Sequence, residues 1–256
     1  MVNNYFIGLQ RWTQHELEKI ISIYDKRIAG IILGDPFCEY RMFPQGNWSI
    51  SLLAKSAKEA GKIVVYQTPV YLTHPRFELT VAAIQQLEQQ GVCDWILAQD
   101  IGLLSWCHNS HLTTPISWSV WGINRSFSIS YNFIDFLKSL GIQGLEIQKP
   151  EWVEPVRKLG LQIFMRSYAP TVITFRQKCY VETFLNTRCN LGDLCAKPKL
   201  QLANKQHELK LNINGFTIED DRPTEFIKPD IQPDWYTIHV RDFAEFSDVL
   251  ERAEVK

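Results

Sequence analysis

The chain has 256 residues, 45% of them hydrophobic, and a net charge of −1. That is enough apolar material for one large α/β domain, and the near-neutral balance excludes a global attraction to nucleic acid or to an anionic membrane. No stretch of about 18 uncharged apolar residues occurs and the first dozen residues lack a secretory pattern, so neither export nor a membrane span is expected and the expected address is the cytoplasm.

In chain order, strands are predicted at 5–9 (YFIGL), 30–35 (GIILGD), 62–69 (KIVVYQTP), 94–100 (DWILAQD), 115–120 (PISWSV), 144–148 (GLEIQ), 161–168 (LQIFMRSY) and 235–240 (WYTIHV). Several are near-continuous apolar runs, the mark of strands covered on both faces. Helical patterns lie between them at 14–25, 49–60, 76–90, 130–140, 151–159 and 242–253, with Gly61, Gly91, Gly141 and Gly160 as helix stops. Eight strands, most followed by a helix, predict an irregular (β/α)8 barrel in a single domain spanning 1–256. An open dinucleotide-binding sheet fits less well, because no G-x-G-x-x-G loop follows the first strand. An insertion at 169–234 separates the seventh and eighth strands, and its alternation from Lys199 to Leu211 predicts an antiparallel hairpin. Barrel insertions that follow a strand's carboxyl end sit on the face where catalysis is done.

That insertion carries three of the six cysteines, in KCYVETFLNTRCNLGDLCAKP at 178–198. Cys179, Cys189 and Cys195 have the spacing C-x9-C-x5-C. Cys38 follows the second strand, behind the Asp35-Pro36 turn, and brings a fourth thiol to the same rim. A reducing compartment disfavours a disulfide account. Four thiolates suit a 4Fe–4S cluster or a tetrahedral zinc. The absence of close C-x2-C pairs weakens the zinc alternative, and ordinary unliganded thiols remain open on spacing alone. Cys93 and Cys107 read as small core hydrophobes. Residues 157–199 hold eight basic and two acidic side chains, a net of +6, which reads as a solvated face or as a surface toward an anionic ligand or RNA.

GIILGDPFCEYR, SLLAKSAKEAGKIVVYQTPV, LEQQGVCDWILAQDIGLLSW and PISWSVWGINRSFSISYNFIDFLKSLGIQGLEI together resemble the collagenase-like peptidase family U32 over roughly residues 5–200. WYTIHVRDFAEFSDVLERA is similar to that family's closing strand and helix. The resemblance implies a 4Fe–4S cluster held by Cys38, Cys179, Cys189 and Cys195. It also implies a role in oxygen-independent hydroxylation with prephenate as oxygen source, on a ubiquinone precursor or an RNA base. The ligand pattern most resembles the smaller partner of the anaerobic ubiquinone-hydroxylation pair, so a related chain is an expected heterodimer partner and a non-catalytic, cluster-bearing subunit is one reading. The family's older name makes a peptidase or hydrolase the alternative.

An anionic co-substrate calls for arginine forks, and Arg41 and Arg166 are the candidates, just beyond the second strand and near the end of the seventh. Asp100 is a candidate proton acceptor or an N-cap. His74 reads as a loop residue, and the Cys107, His108 and His111 group as a weak metal pattern. No G-x-S-x-G elbow or H-E-x-x-H motif supports hydrolysis. Trp12, Trp48, Trp118, Trp121 and Trp152 offer either core or an apolar docking face.

Overall fold

A computed structural model describes residues 4–9, 12–36, 48–70, 72, 74–119, 130–175, 200–204, 209–214, 217–220, 227 and 232–254. Cys38, Arg41, Trp121, Cys179, Cys189 and Cys195 lie outside the described residues.

Eight parallel strands close into a barrel in the order β1-β12-β7-β6-β5-β4-β3-β2. They are β1 (Tyr5–Leu9), β2 (Ile28–Leu33), β3 (Ile63–Gln67), β4 (Trp95–Ala98), β5 (Ile116–Trp118), β6 (Gly144–Ile147), β7 (Gln162–Tyr168) and β12 (Trp235–Val240). The helices are α1 (Gln14–Tyr24), α2 (Trp48–Glu59), α3 (His74–Gln90), α4 (Ile101–Asn109), α5 (Tyr131–Ser139), α6 (Val153–Lys158) and α7 (Phe243–Glu254). The predicted (β/α)8 barrel is therefore present; the first and last strands keep their predicted bounds, the second begins and ends two residues earlier, and the other five are shortened. Between β7 and β12 the insertion folds as an antiparallel sheet in the order β8-β11-β10-β9: β8 (Thr171–Phe175), β9 (Leu200–Asn204), β10 (Leu209–Asn214) and β11 (Thr217–Asp220). The predicted hairpin is β9 and β10; β8 and β11 extend it to four strands.

Local chemistry explains where the elements begin and end. Thr13 and Glu16 form a reciprocal capping box at α1: the Thr13 hydroxyl accepts from the Glu16 N–H at 3.1 Å, and the Glu16 carboxylate accepts from the Thr13 N–H at 2.9 Å. At the other end of α2, α3 and α5 a glycine follows, and the residue after it donates its N–H back to a carbonyl five residues earlier: Lys62 to Ala57, Val92 to Leu87 and Ile142 to Leu137. One turn chemistry thus closes three of the helices and returns the chain to the barrel.

Strand alternation then sorts the side chains. Ile7, Leu9, Ile31, Leu33, Val64, Tyr66, Ile96, Leu145, Ile163, Met165 and Ile238 point outward into one large core with Leu17, Ile20 and Phe246 of the helices. Trp12 and Trp118 belong to this core as well, while Trp152 is half-buried. Inside the barrel, Phe6, Ile32, Val65, Leu97 and Phe164 form a fully buried apolar layer. Phe6 packs edge-on against Trp235 at 5.0 Å between centroids, and Trp95 against Phe164 at 5.4 Å. Among the described residues no helix is long and apolar enough to cross a membrane.

Candidate functional site at the carboxyl end of the barrel

Two residues beyond three members of that apolar layer, toward the strand's carboxyl end, the interior changes character. Val65 is followed inward by Gln67, Leu97 by Gln99 and Phe164 by Arg166; the same level holds Ser119 after β5, Glu146 of β6, and Thr237 and His239 of β12. Each is at most 6% exposed. A core needing only stability would have continued with aliphatic side chains, since buried polar groups cost free energy unless fully bonded. A polar layer at a barrel's carboxyl end is where this architecture places its chemistry.

Glu146 is its hub, wholly buried. Its carboxylate forms an ion pair with the Arg166 guanidinium, whose Nη2 reaches Oε2 and whose Nε lies 3.4 Å from Oε1. Ser119 Oγ donates to Oε2, and Thr237 Oγ1 donates to Oε1 at 3.0 Å. His239 Nε2 lies 3.4 Å from Oε1. Burial opposes ionisation of Glu146, but the positive charge of Arg166 and the contact with His239 outweigh it and hold the carboxyl well below the usual carboxylate range. Burial likewise pushes the His239 imidazole down; the bond and charge of Glu146 pull it upward, and Arg166 opposes them. The site at neutral pH therefore contains one carboxylate, one guanidinium and a neutral imidazole. An ionised Glu146 only accepts, so the His239 tautomer that bonds to it carries its proton on Nε2. The glycine in YFIGL makes room for this ring: a Cβ on Gly8 would stand 2.9 Å from His239 Nδ1.

This arrangement fixes a charge pair and an imidazole around one point and leaves Glu146 a weak base. It has a consequence for pH. Above about pH 6.5 neither folded nor unfolded His239 binds a proton. Below that value the unfolded chain takes up a proton that the native imidazole resists, so stability falls with pH by up to about 1.4 kcal/mol per unit. Glu146, also depressed, adds a second proton of the same sign only below about pH 4.3. Urea midpoints at pH 7.5, 6 and 5 are expected to decline for the wild type and to be flatter for His239→Gln. Equal slopes in the two proteins would show that His239 does not carry this limb.

The other candidates separate. Arg166 is interior and matched by a carboxylate; it does not stand on an open rim. Asp100 is the N-cap of α4, accepting from the Leu103 N–H at 2.9 Å. His74 opens α3 and is not a loop residue, because the helix begins two residues earlier than predicted. Cys107 is buried while His108 and His111 are exposed. The thiols of Cys93 and Cys107 are both pushed up to about 12 by burial, which makes them inert packing groups at neutral pH. Among the described residues no three His, Cys, Asp or Glu side chains are grouped to hold a metal ion.

No family model matches the sequence, and no curated protein matches it. Among solved structures, the chain is similar to the U32 peptidase Mk0906, with a TM-score of 0.55 at 11% identity over 95% of this chain and 94% of that one. The chain shares the fold of that U32 peptidase. A truncated 3-deoxy-D-arabino-heptulosonate 7-phosphate synthase from Thermotoga maritima aligns less well, with a TM-score of 0.44 at 15% identity over 64% of each chain. Within this barrel, the sequence reading had not singled out Glu146, His239, Thr237 or Ser119. The signal was available: in GLEI and WYTIHV the polar residues stand at alternate positions of otherwise apolar strands, and alternation assigns them to the interior.

Proposed function

We propose that this U32-type barrel works at its carboxyl-terminal face, around a 4Fe–4S cluster held by Cys38, Cys179, Cys189 and Cys195, as a component of an oxygen-independent hydroxylation system. The observation that carries the reading is topological. β2 ends at Leu33 and β7 at Tyr168, both at the face that bears Glu146 and Arg166, and the cysteine-bearing stretches follow these two strand ends. Four thiols are a donor set that fits such a cluster, since each iron bonds a deprotonated sulfur. When bound, the cluster supplies one-electron chemistry. The chain's own described residues contribute a fixed electrostatic environment: Glu146 and Arg166 hold their charges, and His239 its neutral imidazole, without reorganising. Because Arg166 is committed to Glu146, recognition of an anionic co-substrate such as prephenate falls to Arg41, and a quinone precursor or an RNA base is the acceptor class. A related chain acting as partner belongs to the same reading.

The likeness to a U32 peptidase favours a second reading, a hydrolase. Hydrolysis needs a nucleophile whose proton passes to a base. Ser119 is the nearest described candidate, yet its hydroxyl already donates to a carboxylate that is a weak base. Iron and acid-labile sulfide analysis of anaerobically purified full-length chain separates the two. The expected result is brown protein with about four irons and four sulfides per chain, and loss of most of that iron in Cys38→Ser. Colourless protein that binds zinc, or peptide cleavage surviving replacement of all four cysteines, would overturn the cluster reading.

A further inference from the structure

Gln67 and Gln99 stand in the polar layer with side-chain atoms that nothing described satisfies. Gln67 is 1% exposed, and both its amide oxygen and its amide nitrogen lack a hydrogen-bond partner. Gln99 is 4% exposed; its Nε2 donates to the Thr68 carbonyl at 2.6 Å, and its Oε1 has no partner. That bond fixes the orientation of Gln99, because a carbonyl accepts and the amide nitrogen must face it. The two residues lie on neighbouring strands, Gln67 opposite Leu97 in register, with Gln99 two residues farther on. By alternation both follow inward-facing Val65 and Leu97, so both face the interior that holds Ser119 and Glu146.

Their unpartnered atoms are two acceptor oxygens and one amide nitrogen, which carries two N–H donors. A carboxylate offers only acceptors and would oppose both glutamine oxygens. A primary carboxamide offers two N–H donors beside one carbonyl acceptor, which is the complement. We propose that Gln67 and Gln99 form a recognition subsite for a small carboxamide group in the upper barrel. The inference is independent of the cysteine cluster, because it rests on two residues of the barrel wall and on neutral hydrogen bonding. It also separates the two polar halves of the layer: Glu146 and Arg166 satisfy each other, whereas the glutamines turn their amides toward something else. Buried amides left without partners are costly to the free protein, and such a cost is typical of positions retained for function.

The test uses the full chain with benzamide as probe, and N-methylbenzamide and benzoate as controls, read by thermal denaturation and by titration calorimetry. Benzamide is expected to raise Tm by about 3–5 °C at ten times its Kd, with N-methylbenzamide weaker because one donor is lost and benzoate without effect. Gln67→Leu and the near-isosteric Gln67→Met are expected to abolish the benzamide response while melting no lower than wild type, since each removes an unsatisfied amide. A wild type that ignores benzamide, an equal response to benzoate, or a response retained in the variants would overturn the proposal. So would a lower Tm in both variants, which would mean that the amide is already bonded within the native chain. Iron content is measured on the same samples: a benzamide response in iron-free protein leaves the subsite standing while the cluster reading fails, and the reverse result separates them the other way.

Discussion

Arg166→Met is expected to destabilise the protein by about 3–5 kcal/mol, the cost of leaving a buried charge without its partner. Glu146 has no exposed surface and Arg166 only 4%. Once the guanidinium is gone, the carboxylate keeps the neutral donors Ser119 and Thr237 and the imidazole of His239, but no fixed positive charge. Two responses are open to it, and both move protons. Glu146 can itself become protonated at higher pH, or His239 can take a proton more readily, since Arg166 no longer opposes its charge. The variant is therefore expected to lose the acid limb attributed to His239 as well as to melt earlier. The double variant Glu146→Gln with Arg166→Met is expected to regain much of the loss, because removing both charges avoids the uncompensated one. Urea unfolding of the two variants against wild type, at pH 7.5 and pH 5.5, measures both effects. A single variant within about 0.5 kcal/mol of wild type, the range of ordinary surface substitutions, would show that the pair is not the anchor of this layer.

How much of this was readable follows from what each pattern encodes. All eight barrel strands were legible because doubly covered strands are apolar on both faces, and the repeated Gly61, Gly91, Gly141 and Gly160 stops marked the units. The hairpin of β9 and β10 was legible from alternation. β8 was not: TVITF follows β7 after only Ala169 and Pro170, so a linear reading has no loop to separate it from the preceding strand. The polar layer was missed for a related reason. Reading GLEIQ and LQIFMRSY as apolar runs treats Glu146 and Arg166 as interruptions or as rim residues, whereas counting every second position from Phe164 or Val65 places Arg166 and Gln67 inside. What no linear pattern contains is partnership. That Arg166 meets Glu146 twenty positions away, and that β12 brings Thr237 and His239 to the same carboxylate, depends on the order in which the barrel closes.

Gly34→Ala is expected to cost about 2–5 kcal/mol, and its effect should concentrate on the same layer. Gly34 has φ +114°, a backbone state that L side chains rarely adopt. A Cβ there would also collide with the backbone oxygen of Gln67, an atom that cannot swing aside as a flexible side chain would. The expected magnitude combines about 1–2 kcal/mol for the left-handed conformation with about 1–3 for overpacking. The glycine follows the last residue of β2 and turns the chain into the buried Asp35 and then Pro36, whose carbonyl accepts from the Val70 N–H at 2.8 Å. Displacing this crossing moves the carboxyl ends of β2 and β3 apart, and with them the start of the stretch toward Cys38 and the backbone that aims Gln67. The variant should therefore lose stability, part of its iron and its benzamide response together, while Gly61→Ala, with open space around its Cβ position, should lose only the conformational share. Tm, iron content and benzamide titration on the two variants measure this. Equal losses in both would mean that the close approach of Gly34 to Gln67 adds nothing beyond backbone strain.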